Sequence, residues 1–254
     1  MAQQNPQRMD AQLVIGGRYH DMDFARLELL KLLAEHQQIR VRVSADYRDA
    51  EDLGDCRFLI TYTCDLAPSE AEQGALSRWV ESGGRWLALH GTNALLEFTE
   101  AGVAAPRGFP LLARTLGSQF IAHPPIQPYA VELADPGHPL VRGIEPFETD
   151  DELYLCEYHE REALHPLLHT HFAGMAPGFV EEDWRGATAP HLVMYLRPLG
   201  AGAVLYNTLG HCRGHYDMRP AMDYYPQIER CSWEKPQFYE LLRRGIRWCM
   251  GELD

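Results

Sequence analysis

Residues 86–93, WLALHGTN, run from four mostly apolar residues into His90, then into glycine and two small polar residues. In sheet-and-helix enzymes the point where a buried strand tips into a helix often carries a nucleophilic serine or cysteine. Imidazole has other uses there: it exchanges protons near neutral pH, and its neutral nitrogen ligates zinc-like metals. Four more places carry such residues. SQFIAHPP sets His123 ahead of two prolines that hold the backbone extended. TDDELY clusters Asp150, Asp151 and Glu152. LLHTH puts His169 and His171 two apart, hence on one face if the segment is a strand. YNTLGHCRGHYD ends an apolar run at His211, with Cys212 and His215 following.

Each also has a plainer reading. His123 suits a loop that simply turns, and the acidic trio a solvated turn. His169 and His171 suit an exposed strand face as well as a metal site, and Cys212 suits a small loop or core residue. His211 differs, because a Gly-His step closing an apolar strand is where a parallel sheet meets its ligand.

The elements that must position these residues follow from periodicity. QLVIG (12–16), IRVRVS (39–44), CRFLITYT (56–63) and RWLALH (85–90) read as strands. Residues 22–36 carry Phe24, Leu27, Leu30 and Leu33 or Ala34 at helical spacing. Ser69 and Glu72 form a capping box for a second helix that Gly83-Gly84 stops. Strand, helix, strand, strand, helix, strand predicts a mostly parallel sheet with helices on both faces. Such sheets gather ligands at the carboxyl ends of their strands. His90 lies at one such end, and is expected to open the following helix. Further on, 129–135, 151–158 and 165–172 read as strands. Residues 191–211 read as a hairpin turning near Gly200-Ala201-Gly202, and 235–252 as a closing amphipathic helix.

Composition narrows the function classes. The 254 residues are 46% hydrophobic and 23% charged, with a formal net charge of −13. An acidic chain argues against nucleic-acid and anionic-membrane partners. The amino terminus lacks a basic start followed by an apolar run, and nothing approaches a membrane span. Six scattered cysteines without a CxxC pair fit reduced thiols, so a cytoplasmic location is expected. One domain over 11–254 is expected, after a disordered or extended stretch at 1–10.

In order and spacing, GGRWLALHGTNA, LGSQFIAHP, DPGHPLVRGI, DELY, GAGAVLYNTLGH and LLRRGIRWCMGE together resemble the ThuA-like family, named for trehalose utilisation. The resemblance spans about residues 11 to 251. It implies an α/β, flavodoxin-like fold of the class I glutamine amidotransferase type. In those amidotransferases the elbow carries a catalytic cysteine; here it carries His90, so glutamine amide chemistry is not expected. His20, in IGGRYHDMD, joins the substrate-binding candidates. So do Tyr216, Tyr224 and Tyr225 of the aromatic stretch 213–232, which with Trp233 could stack on sugar rings or pack as a core flap.

The family resemblance implies an enzyme of carbohydrate breakdown, with oxidised (3-keto) glycosides as substrates. A ketone acidifies the neighbouring C–H, so a base can remove that proton and expel the glycosidic group. His90, Asp151 and Glu152 are the catalytic candidates. A zinc-like divalent metal on His90, His123 and His211 would be the electrophile. Two alternatives are a non-catalytic sugar-binding or sensor protein and a metal-dependent hydrolase of another small molecule. The expected partner is a small carbohydrate; no nucleotide cofactor is expected, and a homo-oligomer is left open.

Overall fold

The computed structural model describes residues 8–182, 184 and 190–253. In chain order the elements are β1 (Met9–Gly17), α1 (Met22–Ala34), β2 (Ile39–Ser44), β3 (Phe58–Cys64), α2 (Glu70–Glu81) and β4 (Arg85–Leu89). Then come β5 (Glu97–Thr99), β6 (Gly102–Ala104), α3 (Pro110–Leu116), β7 (Ser118–Ala122), β8 (Gln127–Leu133), β9 (Phe147–Asp151) and β10 (Leu155–Tyr158). β11 (His165–Thr170), β12 (His191–Leu199), β13 (Gly202–Asn207) and α4 (Pro236–Met250) complete the chain. Of the expected amino-terminal stretch, Met9 and Asp10 are extended in β1; residues 1–7 lie outside the described residues.

Nine strands form one sheet in the order β2-β1-β3-β4-β13-β12-β11-β8-β9. From β2 to β13 the pairing is parallel; from β13 to β9 it is antiparallel. The fold is flavodoxin-like, with an antiparallel extension on one side.

Helices cover both faces of the parallel half, which is why its inner strands β3 and β4 are buried along nearly their whole length, while the edge strand β2, IRVRVS, alternates. Leu13 and Ile15 of β1 join Leu29 and Leu33 of α1 and Phe238, Leu242 and Ile246 of α4 in one apolar core. Val14, between them, belongs to the opposite core with Leu76 and Val80 of α2 and Leu112 and Leu116 of α3. Ser69 and Glu72 make the expected reciprocal cap on α2. Among the described residues no helix is long and apolar enough to cross a membrane.

Two elements depart from the sequence expectation. His90 does not open an α-helix; it opens a single 3₁₀ turn, His90–Asn93, which leads into the β5–β6 hairpin. The turn packs closely against β3, where a Cβ on residue 91 would lie 2.6 Å from the Thr63 carbonyl oxygen, and the chain becomes extended at Ala94. The strand expected over 151–158 is also broken, with Glu152, Leu153 and Tyr154 between β9 and β10. There the chain leaves the large sheet for a two-stranded sheet with β7. That crossing aims Glu152 and Tyr154 inward.

Candidate active site

β1, β3, β4 and β13 run parallel, so their carboxyl ends lie along one edge. His20 follows β1, Cys64 ends β3, His90 follows β4, and Thr208 to His211 follow β13. His90 has φ 44°, a conformation disfavoured for residues with a Cβ. It is held there by the Tyr206 hydroxyl, which donates to the His90 carbonyl, and by its ring. The ring's Nδ1–H donates to the Thr208 carbonyl at 2.7 Å. With Nδ1 so used, Nε2 of the neutral ring carries a lone pair and points inward.

His20 repeats this arrangement. Its Nδ1 lies 3.3 Å from the Arg18 carbonyl, which can only accept, and its Nε2 lies 2.9 Å from Nε2 of His90. Burial holds the His20 imidazole well below its ordinary pKa, reinforced by the neighbouring His90 and His211, so the ring is neutral. The Tyr154 hydroxyl, 3.2 Å from His90 Nε2, can donate to that atom. Even then, two imidazole nitrogens whose N–H groups are spoken for face each other at contact distance.

Glu152 sits at the centre. Its carboxylate lies 3.5 Å from His90 Nε2, 3.9 Å from His20 Nε2, 3.1 Å from His211 Nδ1 and 3.5 Å from His123 Nε2. Burial alone would raise its pKa, but His123, His211 and His90 outweigh that and hold it well below the usual range. It is a carboxylate and cannot serve as the acid. His211 is pulled down by burial, yet the Glu152 and Glu229 carboxylates carry it up to about 9. Its Nε2–H donates to Glu229 at 2.8 Å. Its Nδ1 is close to Glu152 but makes no aligned hydrogen bond, leaving a buried polar atom without a directed partner. Arg213 closes the network, 3.3 Å from Glu152 and 2.9 Å from Glu229.

One ligand atom each from His20, His90, Glu152 and His211 lie within 4.8 Å of one another. Tetrahedral ligation at bonds of about 2.0–2.1 Å needs ligand atoms roughly 3.3 Å apart, close to the spacings found. His123 is placed differently from the expected metal set. It lies across Glu152 from the cluster, with Nδ1–H donating to the Pro124 carbonyl, Nε2 3.5 Å from Glu152 and its ring on the cavity wall. His20, expected as a substrate-binding residue, is the third imidazole of the cluster instead.

Asp151, expected as a catalytic group, is by its geometry a positioning residue. Its two oxygens accept the backbone N–H groups of Glu152 (2.8 Å), Gly210 (2.9 Å), His211 (3.1 Å) and Ser232 (3.2 Å). All are buried, so this one carboxylate fixes the backbone of Glu152 and His211 together. No lone pair is left for proton transfer.

A cavity of ≈ 200 Å³ opens above the cluster. His20, His123, Glu152 and Arg213 line its polar side, and Tyr19, Phe98, Phe120, Tyr154 and Phe179 its aromatic walls. The tyrosines expected to bind substrate are elsewhere. Tyr216 and Tyr224 are exposed and pack on one another and on His215. Tyr225 donates to Glu229 and so supports the site from behind. Trp233 is buried in the core, its indole N–H bonded to Gly210. Cys212 is a buried thiol whose pKa burial pushes up to about 12, which rules it out as a thiolate.

Sequence reasoning missed Tyr154, Arg213 and Glu229. Tyr154 sits in the same DELY quartet as Glu152 and had a signal. Arg213 and Glu229 lie near the two ends of the 213–232 stretch, and the bridge that pairs those ends, which no local pattern announces, brings them together.

A family model described as ThuA, trehalose utilisation, matches residues 13–225. A protein from Bacteroides uniformis described as ThuA-like has the same fold, with a TM-score of 0.68 and 17% identity, over 100% of this chain and 96% of that one. Another, from Parabacteroides merdae, gives 0.61 and 14%, over 97% and 92%. A Thermoplasma acidophilum protein described as part of a GMP synthase gives 0.53 and 10%, over 97% and 96%. No curated protein matches in sequence.

Proposed function

The chain belongs to the ThuA, or trehalose utilisation, family, and from that premise we propose that it is a metal-dependent enzyme of carbohydrate metabolism acting on oxidised (3-keto) glycosides. The observation that carries this reading is the 2.9 Å contact between Nε2 of His20 and Nε2 of His90. Two lone pairs at that distance repel unless a proton or a metal ion is shared between them; burial opposes the proton, and Nδ1 of His211 and the carboxylate of Glu152 complete a donor set for the metal. The outer partners fit too: Thr208, Arg18 and Glu229 each hold the second nitrogen of a ligating ring, as metal-bound histidines require. Nitrogen and carboxylate donors suit zinc-like ions.

A divalent ion held there would supply a Lewis acid for the enolate oxygen. Glu152, Glu229, Arg213 and protonated His211 cancel in charge. A divalent ion that displaces the His211 proton leaves one net positive charge, which favours an anionic ligand such as an enolate over a neutral sugar. His123 is the base. Its Nδ1–H is fixed by Pro124, its ring lines the cavity with Nε2 left as the lone-pair nitrogen, and burial lowers its pKa, so it is unprotonated at neutral pH. It takes the proton from the carbon beside the ketone; the electron pair moves through that carbon to expel the glycosidic oxygen, and the same imidazole returns the proton to it. The aromatic walls cover the apolar faces of the ring.

The test is turnover of a 3-keto-glycoside against the unoxidised glycoside. Only the keto substrate is expected to react, and His123→Ala lowers its turnover at least about 100-fold. Because burial lowers the His123 pKa, activity persists below pH 6.5 and falls only on further acidification through that lowered value. No reaction of any keto-sugar with zinc-loaded protein would overturn the substrate assignment.

A further inference from the structure

On the solvated face of the antiparallel extension, Glu132 of β8, His169 of β11 and His171 just beyond it form a second group. One ligand atom from each lies within 4.8 Å of the others. Glu132 and His169 are directly opposite in the β8–β11 ladder, and His169 Nε2 is 3.3 Å from the Glu132 carboxylate. Strand alternation buries Leu168 and Thr170 and turns His169 and His171 outward together. The two rings are 5.5 Å apart. Beside them a cavity of ≈ 250 Å³ is lined by Glu132, His171, Tyr129 and Phe172.

The position has a mechanical meaning. β8 and β11 share only two register pairs, Leu168 with Leu133 and His169 with Glu132, supplemented by the Ala134 N–H to the Leu167 carbonyl. Every other junction in the nine-stranded sheet has at least five. Through this short joint hang β8 and β9, and β9 ends in Asp151, which fixes Glu152 and His211.

We propose that Glu132, His169 and His171 bind a second zinc-like ion that staples β8 to β11 and so secures the strands carrying Asp151. Two imidazoles and one carboxylate suit zinc rather than magnesium or calcium, which prefer oxygen donors throughout. The fourth position faces the adjoining cavity, where water or a small carboxylate completes the tetrahedron. This site stands apart from the buried cluster and does not depend on it.

The experiment uses the full chain without a histidine tag, stripped with chelator, on a His90→Ala background that removes the buried centre. Zinc chloride is titrated by equilibrium dialysis and by thermal melting. One zinc per chain is expected, with a Tm rise of about 5–10 °C once zinc reaches roughly 100 times its Kd. Adding His169→Ala and His171→Ala abolishes both; Glu132→Gln, which keeps shape and volume, weakens the binding at least about tenfold. Absence of zinc binding on the His90→Ala background, or a Tm rise that survives loss of both histidines, overturns the staple. Failure of the buried centre is read separately, as an unchanged zinc count between the His90→Ala protein and the wild type.

Discussion

Glu152→Gln lowers turnover of a 3-keto-glycoside by about 10³-fold and weakens zinc binding at the buried centre at least about 100-fold. The expectation rests on where the charge sits. Four imidazoles and the Arg213 guanidinium converge on this one carboxylate, and among the described residues that line the cavity it is the sole acid. Glutamine keeps the volume but offers a neutral oxygen, so a divalent ion loses its only charged ligand. Removing one member of a buried charge network is costly because the remainder stays unpaired, on the order of 3–5 kcal/mol. Folding is therefore checked by near-ultraviolet circular dichroism alongside the kinetics. Wild-type turnover in a folded Glu152→Gln protein would exclude any role for this carboxylate.

Asp151→Ala is expected to be the most destabilising substitution in the site. Four buried backbone N–H groups lose their acceptor at once, and each unsatisfied donor costs about 1–3 kcal/mol. Water entering the space offsets part of this, so the loss is on the order of 4 kcal/mol or more in denaturant unfolding, a large share of a domain's stability. Asp151→Asn keeps one accepting oxygen and about half the bonds. It is expected to fold with intermediate stability and with zinc affinity reduced, because Glu152 and His211 are no longer fixed together. An Asp151→Ala protein as stable as wild type would refute the positioning role.

The parallel half of the sheet was legible because both its faces are covered. A doubly buried strand such as FLITYTC must be apolar along its length, and an amphipathic helix beside it must repeat every three to four residues. The Ser69–Glu72 cap is likewise a local exchange of hydrogen bonds, which adjacent residues can announce. The break after Asp151 had no local cause. It depends on the N–H groups of Gly210, His211 and Ser232, far along the chain.

The site divides along the same line. Strand ends locate His20, His90 and His211 on one edge, since parallel strands share a direction, and periodicity carries that much. Which imidazoles meet depends on side-chain directions: His123 follows β7 of the small sheet, while His20 follows β1 of the large one. Aromatic richness misled, because tyrosines crowd a packed insert as readily as a sugar site. Tyr224 stacks on His215, while the cavity walls come singly from Tyr19, Phe120, Tyr154 and Phe179. Glu152 stood out among three acids only by type; its burial and its four imidazole neighbours belong to the fold.

The central claim is that His20, His90, Glu152 and His211 hold a divalent metal, and metal content tests it most directly. Untagged protein is purified without chelator, dialysed against zinc and then against zinc-free buffer, and its metal counted by plasma mass spectrometry. One zinc per chain is expected to be retained by the His169→Ala/His171→Ala protein, which lacks the surface group, and to be lost when His90→Ala is added to it. Zinc content unchanged by that added His90→Ala, or no retained metal in the His169→Ala/His171→Ala protein, would contradict it.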